Sequence, residues 1–144
     1  MREIKFRGWS KGEKKWVYGY YAKERSMNRK RTRMYSVIMT FEQANDYENL
    51  DVYIVNPSSI GQYTGLKDIN GNEIYVGDIL SLNGETNMDT TCCGYITEYN
   101  GMYVSFYGQD INGKDCFDIL YTVSKEREII GNIHKNPELL EVTE

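Results

Sequence analysis

Asn70-Gly71, Asn100-Gly101 and Asn112-Gly113, three of the four Asn-Gly dipeptides in the chain, constrain it more than any other feature. Both residues of such a step reach positive φ at little cost, which is what a two-residue type I′ turn between antiparallel strands requires. Residues 95–99 and 102–107, rich in Tyr and β-branched side chains, flank Asn100-Gly101, and residues 117–123 follow Asn112-Gly113 with the same bias. Such runs favour strands. The pattern predicts a mainly β fold: a meander of short antiparallel strands curled into a small barrel-like or pseudobarrel arrangement, with short helical turns.

The rest of the chain reads in the same way. Ile4, Phe6 and Gly8 alternate with Glu3, Lys5 and Arg7, residues 10–14 supply a polar turn containing Gly12, and residues 15–21 are aromatic, so the chain opens on a hairpin. Residues 22–33 are nearly all polar and carry six basic side chains, the mark of an exposed loop or a solvated strand end. Strands are expected at 35–41, at 51–55 and at 79–82 after a bend at Gly77-Asp78, with a loop at 84–91. Helix is expected only near 40–47 and at 136–140, where Asn136 can cap and Pro137 can take the first helical position. Tyr95, Tyr99, Tyr103 and Tyr107 are expected to share one sheet face as cross-strand packing.

Charge is unevenly placed. Residues 1–60 carry twelve Lys/Arg and seven Asp/Glu, net +5, and residues 61–144 carry five and fourteen, net −9. This predicts a basic N-terminal hairpin region, 1–60, packed on an acidic meander, 61–144, as one structural domain. Opposed charges also suit pairing between copies or with another protein, so a homo-oligomer or a protein partner is expected. No run of about 18 apolar residues is present and the first residues lack a secretory apolar stretch, so a cytoplasmic protein is expected. Cys92, Cys93 and Cys116 form an odd set, in keeping with a reducing compartment, and their spacing to the single histidine, His134, matches no usual zinc pattern. No metal or other cofactor is expected.

Two groups of residues stand out as candidate sites. Tyr63, Thr64, Gly65, Asp68, Asn70, Gly71, Glu73, Tyr75, Gly77 and Asp78 include enough carboxylates to raise a divalent cation site of a nuclease. Each also has a structural reason: Asp68 and Asn70 suit a hairpin turn, Gly71 and Gly77 supply positive φ, and Asp78 can accept from local amides. The structural reading is the stronger, because no metal-binding spacing is present. The basic stretch Lys23, Arg25, Arg29, Lys30, Arg31 and Arg33, with Tyr20, Tyr21 and Tyr35 beside it, offers the cations and stacking faces of a single-stranded nucleic-acid binder. A solvated loop is its plainer explanation. A catalytic arrangement would have to use His134, which stands alone, so no catalytic residues are assigned.

Three separated blocks, MREIKFRGWSKGEKKWVYG, GQYTGLKDINGNEIYVGDIL and EIIGNIHKNPELL, resemble the YopX family of phage and prophage proteins. The resemblance spans nearly the whole chain, with 22–56 and 83–116 as variable filling; His134-Lys135-Asn136 stands where the family often has an acidic residue before Asn-Pro. It implies a small mainly β protein of phage or prophage origin with a barrel-like C-terminal part, and it carries no established catalytic residues.

Overall fold

In the computed structural model, which describes residues 3–25, 33–41, 50–81 and 93–140, the chain divides into two units, Met1–Tyr63 and Thr64–Glu144. Among the described residues, eleven strands run in the order β1 Phe6–Ser10, β2 Lys15–Arg25, β3 Met34–Phe41, β4 Leu50–Ile54, β5 Gly61–Lys67, β6 Glu73–Tyr75, β7 Asp78–Ser81, β8 Cys93–Tyr99, β9 Met102–Gln109, β10 Asp115–Ile119 and β11 Ile129–Asn132. Every recorded pairing between them is antiparallel.

In the first unit the strands are ordered β4-β3-β2-β1-β5. The eleven-residue β2 changes partner halfway. Its first half, to Gly19, pairs with β1, and from Tyr20 onward it pairs with β3. Gly19 permits that change, because a Cβ there would run into the backbone carbonyl of Met39. Gly8 plays a similar part: a Cβ on it would lie 2.8 Å from Cβ of Val55. The sheet curls around Val17, Ile38 and Val55, with Phe6, Tyr21, Tyr53 and Ile60 packed against them. Just beyond β4, the Asn56 amide donates to the Trp9 carbonyl at 2.9 Å, and a 3-10 turn, Pro57–Ser59, returns the chain to β1 through the Ser59 hydroxyl, which accepts from the Trp9 amide at 2.7 Å. Arg7, which the sequence places among polar alternates, is instead buried with its guanidinium 4.8 Å from the Trp16 ring centre.

In the second unit the end of β5 leads through a hairpin to β6, and a five-stranded sheet follows in the order β10-β9-β8-β7-β11. Ile74, Leu80, Ile96 and Leu120 form its core, with Leu66, Tyr103 and Ile129 against them. The mainly β expectation holds, yet both sheets have ends and neither closes into a barrel. Asn100 and Gly101, at φ 50° and 81°, make the expected type I′ turn.

Four details differ from the sequence reading. The Asn100-Gly101 turn pairs Tyr99 with Met102 and Glu98 with Tyr103, so Tyr95 and Tyr99 share a face with Phe106, and Tyr103 lies on the other. The aromatic contacts are Tyr95 to Phe106 and Tyr99 to Phe117, with ring centres 5.4 and 4.9 Å apart. The expected strand 117–123 ends at Ile119, where the helical turn α1, Leu120–Val123, puts Leu120 into the core. Thr40 and Phe41 continue β3 and are not helical; the remainder of that expected helix, 42–47, lies outside the described residues, as does the loop expected at 84–91. The C-terminal turn is 3-10, Pro137–Leu140, and the Asn136 side chain reaches back to accept from the Asn132 amide at 3.3 Å rather than capping it.

Gly19→Ala is expected to lower stability by about 1–3 kcal/mol through overpacking against a carbonyl that cannot move aside. Gly12→Ala, at a position with nothing within 4 Å, should change it by less than about 0.5 kcal/mol. Urea unfolding of the two variants side by side checks the contrast.

Candidate functional site

Asp68 organises the densest block of the sequence. The amides of Gly71 and Asp68 pair with the carbonyls of Asp68 and Asn72 at 3.0 and 2.8 Å, closing a tight loop. Within it, Asp68 Oδ1 accepts from the amides of Asn70 and Asn72, each at 2.9 Å. Oδ2 is taken by the amide of Ile129, 61 positions away, at 3.0 Å. Asn70 has no positive φ and Gly71 sits at 83°, so this is a type I turn followed by a left-handed glycine, not the type I′ turn the dipeptide suggests. The aspartate two places earlier decides this by capturing the loop amides.

The same loop occurs twice, a repetition the sequence reading missed. Asp110-Ile111-Asn112-Gly113 repeats Asp68-Ile69-Asn70-Gly71, and Asp110 Oδ1 accepts from the amides of Asn112 and Lys114 at 2.8 and 2.9 Å. Asn112-Gly113 therefore corrects in the same way, with only the glycine at positive φ. Asp110 is exposed and its carboxylate serves its own loop, whereas Asp68 is 5% exposed and its second oxygen holds β11.

The other residues of the block are also engaged with backbone. The Thr64 hydroxyl donates to the Ile74 carbonyl at 2.8 Å, tying β5 to β6. Asp78, 2% exposed, accepts from the Tyr75 amide at 2.8 Å. Gly77, at φ 97°, donates to Ile96 and accepts from Ile133. Gly65 has φ 84°, and Glu73 is half-buried in β6. In the first unit, Tyr63 is buried with the Lys5 ammonium 5.1 Å from its ring centre. The carboxylates of Asp68 and Asp78 thus point at amides, and no group of three or more His, Cys, Asp or Glu among the described residues could hold a metal ion.

A model of the YopX family, described as YopX protein, matches residues 5–141. The chain belongs to the YopX family. Its structure is also similar to the crystal structure of protein EF1440 from Enterococcus faecalis, at 23% identity and a TM-score of 0.52, covering 98% of this chain and 100% of that one; this likeness is one of fold. No curated protein matches the sequence.

The third block of this YopX-family chain has its own geometry. A Cβ on Gly131 would lie 2.6 Å from Asn136 Oδ1, so glycine there leaves room for the Asn136 side chain to reach the Asn132 amide. Asn132 in turn accepts from the amides of His134 and Lys135 at 3.1 and 2.9 Å. His134 therefore sits in a tight turn with Cys93, which is fully buried, donating nearby to the Leu139 carbonyl at 2.9 Å. Cys116 is half-buried, and Cys92 lies outside the described residues.

Of the basic stretch, Lys23 and Arg25 lie one residue apart on one face of β2, exposed, opposite Ser36 and Met34. Arg33 is exposed just before β3, and Arg29, Lys30 and Arg31 lie outside the described residues. One ion pair went unread in the sequence: Arg127 Nη2 donates to Asp118 Oδ2 at 2.8 Å with the arginine side chain nine-tenths buried. Burial, together with the charges of Asp118 and Cys116, raises the Tyr107 hydroxyl above its ordinary pKa against the opposing pull of Arg127. Nothing in the spacing of Asp118 and Arg127 announces that pairing.

Burial pushes the Asp68 carboxyl upward, but the amides of Ile129, Asn72 and Asn70 outweigh it and hold the group below the ordinary aspartate range. A pKa lowered on folding adds stability that is complete above the unfolded value, about 3.9, and is lost as pH falls through the folded one. Asp68→Asn should lower stability at pH 7 by about 1–3 kcal/mol, because an amide nitrogen replaces one acceptor and leaves a buried donor unmet. It should also flatten the acid side of the stability curve. Asp110→Asn, in the exposed copy of the loop, should cost less than about 1 kcal/mol. Urea unfolding between pH 3 and 7 measures all three.

Proposed function

We propose that this YopX-family protein is a non-enzymatic interaction module of a phage or prophage, acting through contact with a protein or with copies of itself. The observation that supports this most directly lies on the outer face of the first unit's sheet. Tyr20, Met39 and Val52 are aligned across β2, β3 and β4, and Ala22, Val37 and Ile54 form the next row. Tyr20, Val52 and Ile54 are 54%, 43% and 57% exposed. Aromatic and branched side chains lined up on the face opposite Val17, Ile38 and Val55, with Tyr20, Val52 and Ile54 exposed beside the buried Val37, mark a surface used for contact. Engagement of Asp68 and Asp78 by backbone amides fits the same reading, since it leaves those carboxylates little role in general acid-base chemistry.

A second reading rests on Lys23, Arg25 and Arg33, exposed around one end of the β2–β3 hairpin, where they would meet phosphates of a single strand. Affinity capture from host cells, with and without nuclease, separates the two, and light scattering across concentrations tests self-association. The interaction reading expects retained protein or a mass above the monomer, insensitive to nuclease and lost in Tyr20→Ser/Val52→Ser, whose melting temperature should stay within a few degrees of the parent. Retention that vanishes with nuclease, or with salt and Lys23→Ala/Arg25→Ala/Arg33→Ala, would favour the nucleic acid.

A further inference from the structure

The four edges of the two sheets are not equally protected. In the second sheet, β10 carries a register shift at Cys116/Phe117 and two aspartates, and β11 carries a shift between Ile129 and Gly131. At one end of the first sheet, β6 is only three residues long. Bulges, charges and short length are the usual means of keeping an edge from pairing with another chain. β4, at the other end, is the least guarded: it carries one exposed charge, Asp51, but Leu50–Ile54 pairs with β3 in unbroken register and contains no bulge, glycine, proline or basic residue.

Its free side can be assigned from one bond. The Val55 amide donates to Ser36 of β3 at 3.0 Å, so by antiparallel alternation Tyr53 and Asp51 also face β3. The backbone groups of Val52 and Ile54 then point away from it, and among the described residues they have no partner. The next outward amide, Asn56, is taken by Trp9. Between that closure and the β1–β2 turn the two elements diverge, leaving a cleft of about 530 Å³ lined on one side by Val52 and Ile54 and on the other by Lys11 and Glu13.

We propose that this cleft takes an extended peptide segment of another protein as an added strand on β4, with apolar and acidic side chains alternating. The mode rests on the interaction reading above and specifies its chemistry. A paired strand would satisfy the outward backbone groups of Val52 and Ile54, and its side chains would fall alternately on the two faces of β4. On one face they meet the exposed Val52 and Ile54, which selects apolar residues. On the other they meet Asp51 and Tyr53, whose ring carries the Lys15 ammonium 5.2 Å from its centre, and the turn adds exposed Lys11 and Lys14 against Glu13; three lysines outnumber two carboxylates, which selects acidic ones.

Fluorescence anisotropy of the full chain with a labelled nonapeptide of alternating valine and glutamate tests this. Saturable binding is expected, weakened about tenfold or more by methylating alternate backbone nitrogens of the peptide, by Val52→Pro, or by Lys11→Glu/Lys14→Glu, and reduced by salt. The lysine pair lies on an exposed turn and keeps the test valid if the proline variant does not fold. Equal binding of the methylated peptide would overturn strand addition, and equal binding of a valine-lysine peptide would overturn the acidic class. Absence of binding by every peptide would overturn the proposal while leaving the capture experiment to judge the interaction reading. A dimer of the free protein that dissociates in Lys11→Glu/Lys14→Glu would assign the cleft to a second copy and overturn a foreign partner.

Discussion

A single carboxylate holds the second unit's hairpin to a strand 61 residues away. Asp68 accepts three amide protons, two from its own turn and one from Ile129 at the start of β11. Each bond is ordinary; their convergence on a residue 5% exposed is what matters, because a buried carboxylate is costly unless it is fully hydrogen-bonded. Once β11 is placed, Gly77 can accept from Ile133, and Asn132 and Asn136 can organise the turn that follows. The block that looks richest in catalytic chemistry is thereby a set of side chains closing backbone.

The second copy of the loop shows what separates a local device from a long-range one. Asp110 makes the same two bonds inside its own turn, yet it is exposed and ties nothing else down. Identical local sequence gives identical local geometry, and burial alone distinguishes the roles. That division also bears on binding. The second sheet ends in bulged strands, whereas one end of the first is β4, regular and mostly apolar, beside an open cleft. In a molecule that guards its other edges more fully, the least guarded one is where contact is most readily made.

Much of this fold was legible in the sequence because its strongest signals are local. Asn-Gly placed three hairpin turns, and Gly12 within polar residues placed the first, since φ preference is set by one or two residues. The turn type was misread at Asn70 and Asn112 because the deciding aspartate lies outside the dipeptide. The tyrosine faces were misread because a two-residue turn pairs Tyr99 with Met102 and so reverses parity across it. The Arg127–Asp118 pair, the stacking of Arg7 on Trp16, and the choice of β4 as an edge were hidden for a different reason. They depend on strand order and on contacts between elements, which no local preference specifies. The structural roles of Asp68 and Asp78 are legible from turn chemistry and from the lack of metal-binding spacing, but the bond from Asp68 to Ile129 requires the fold.

The direct test of Asp68 as a structural anchor is its titration in the folded protein, followed by NMR at the side-chain carboxyl carbon with Asp68→Asn as the assignment control. The account predicts a midpoint below the ordinary aspartate value, with the Ile129 amide resonance moving at the same pH and neither responding to Mg²⁺. A midpoint at or above the ordinary value, or one displaced by Mg²⁺, would contradict it and return the carboxylate to the candidates for catalysis.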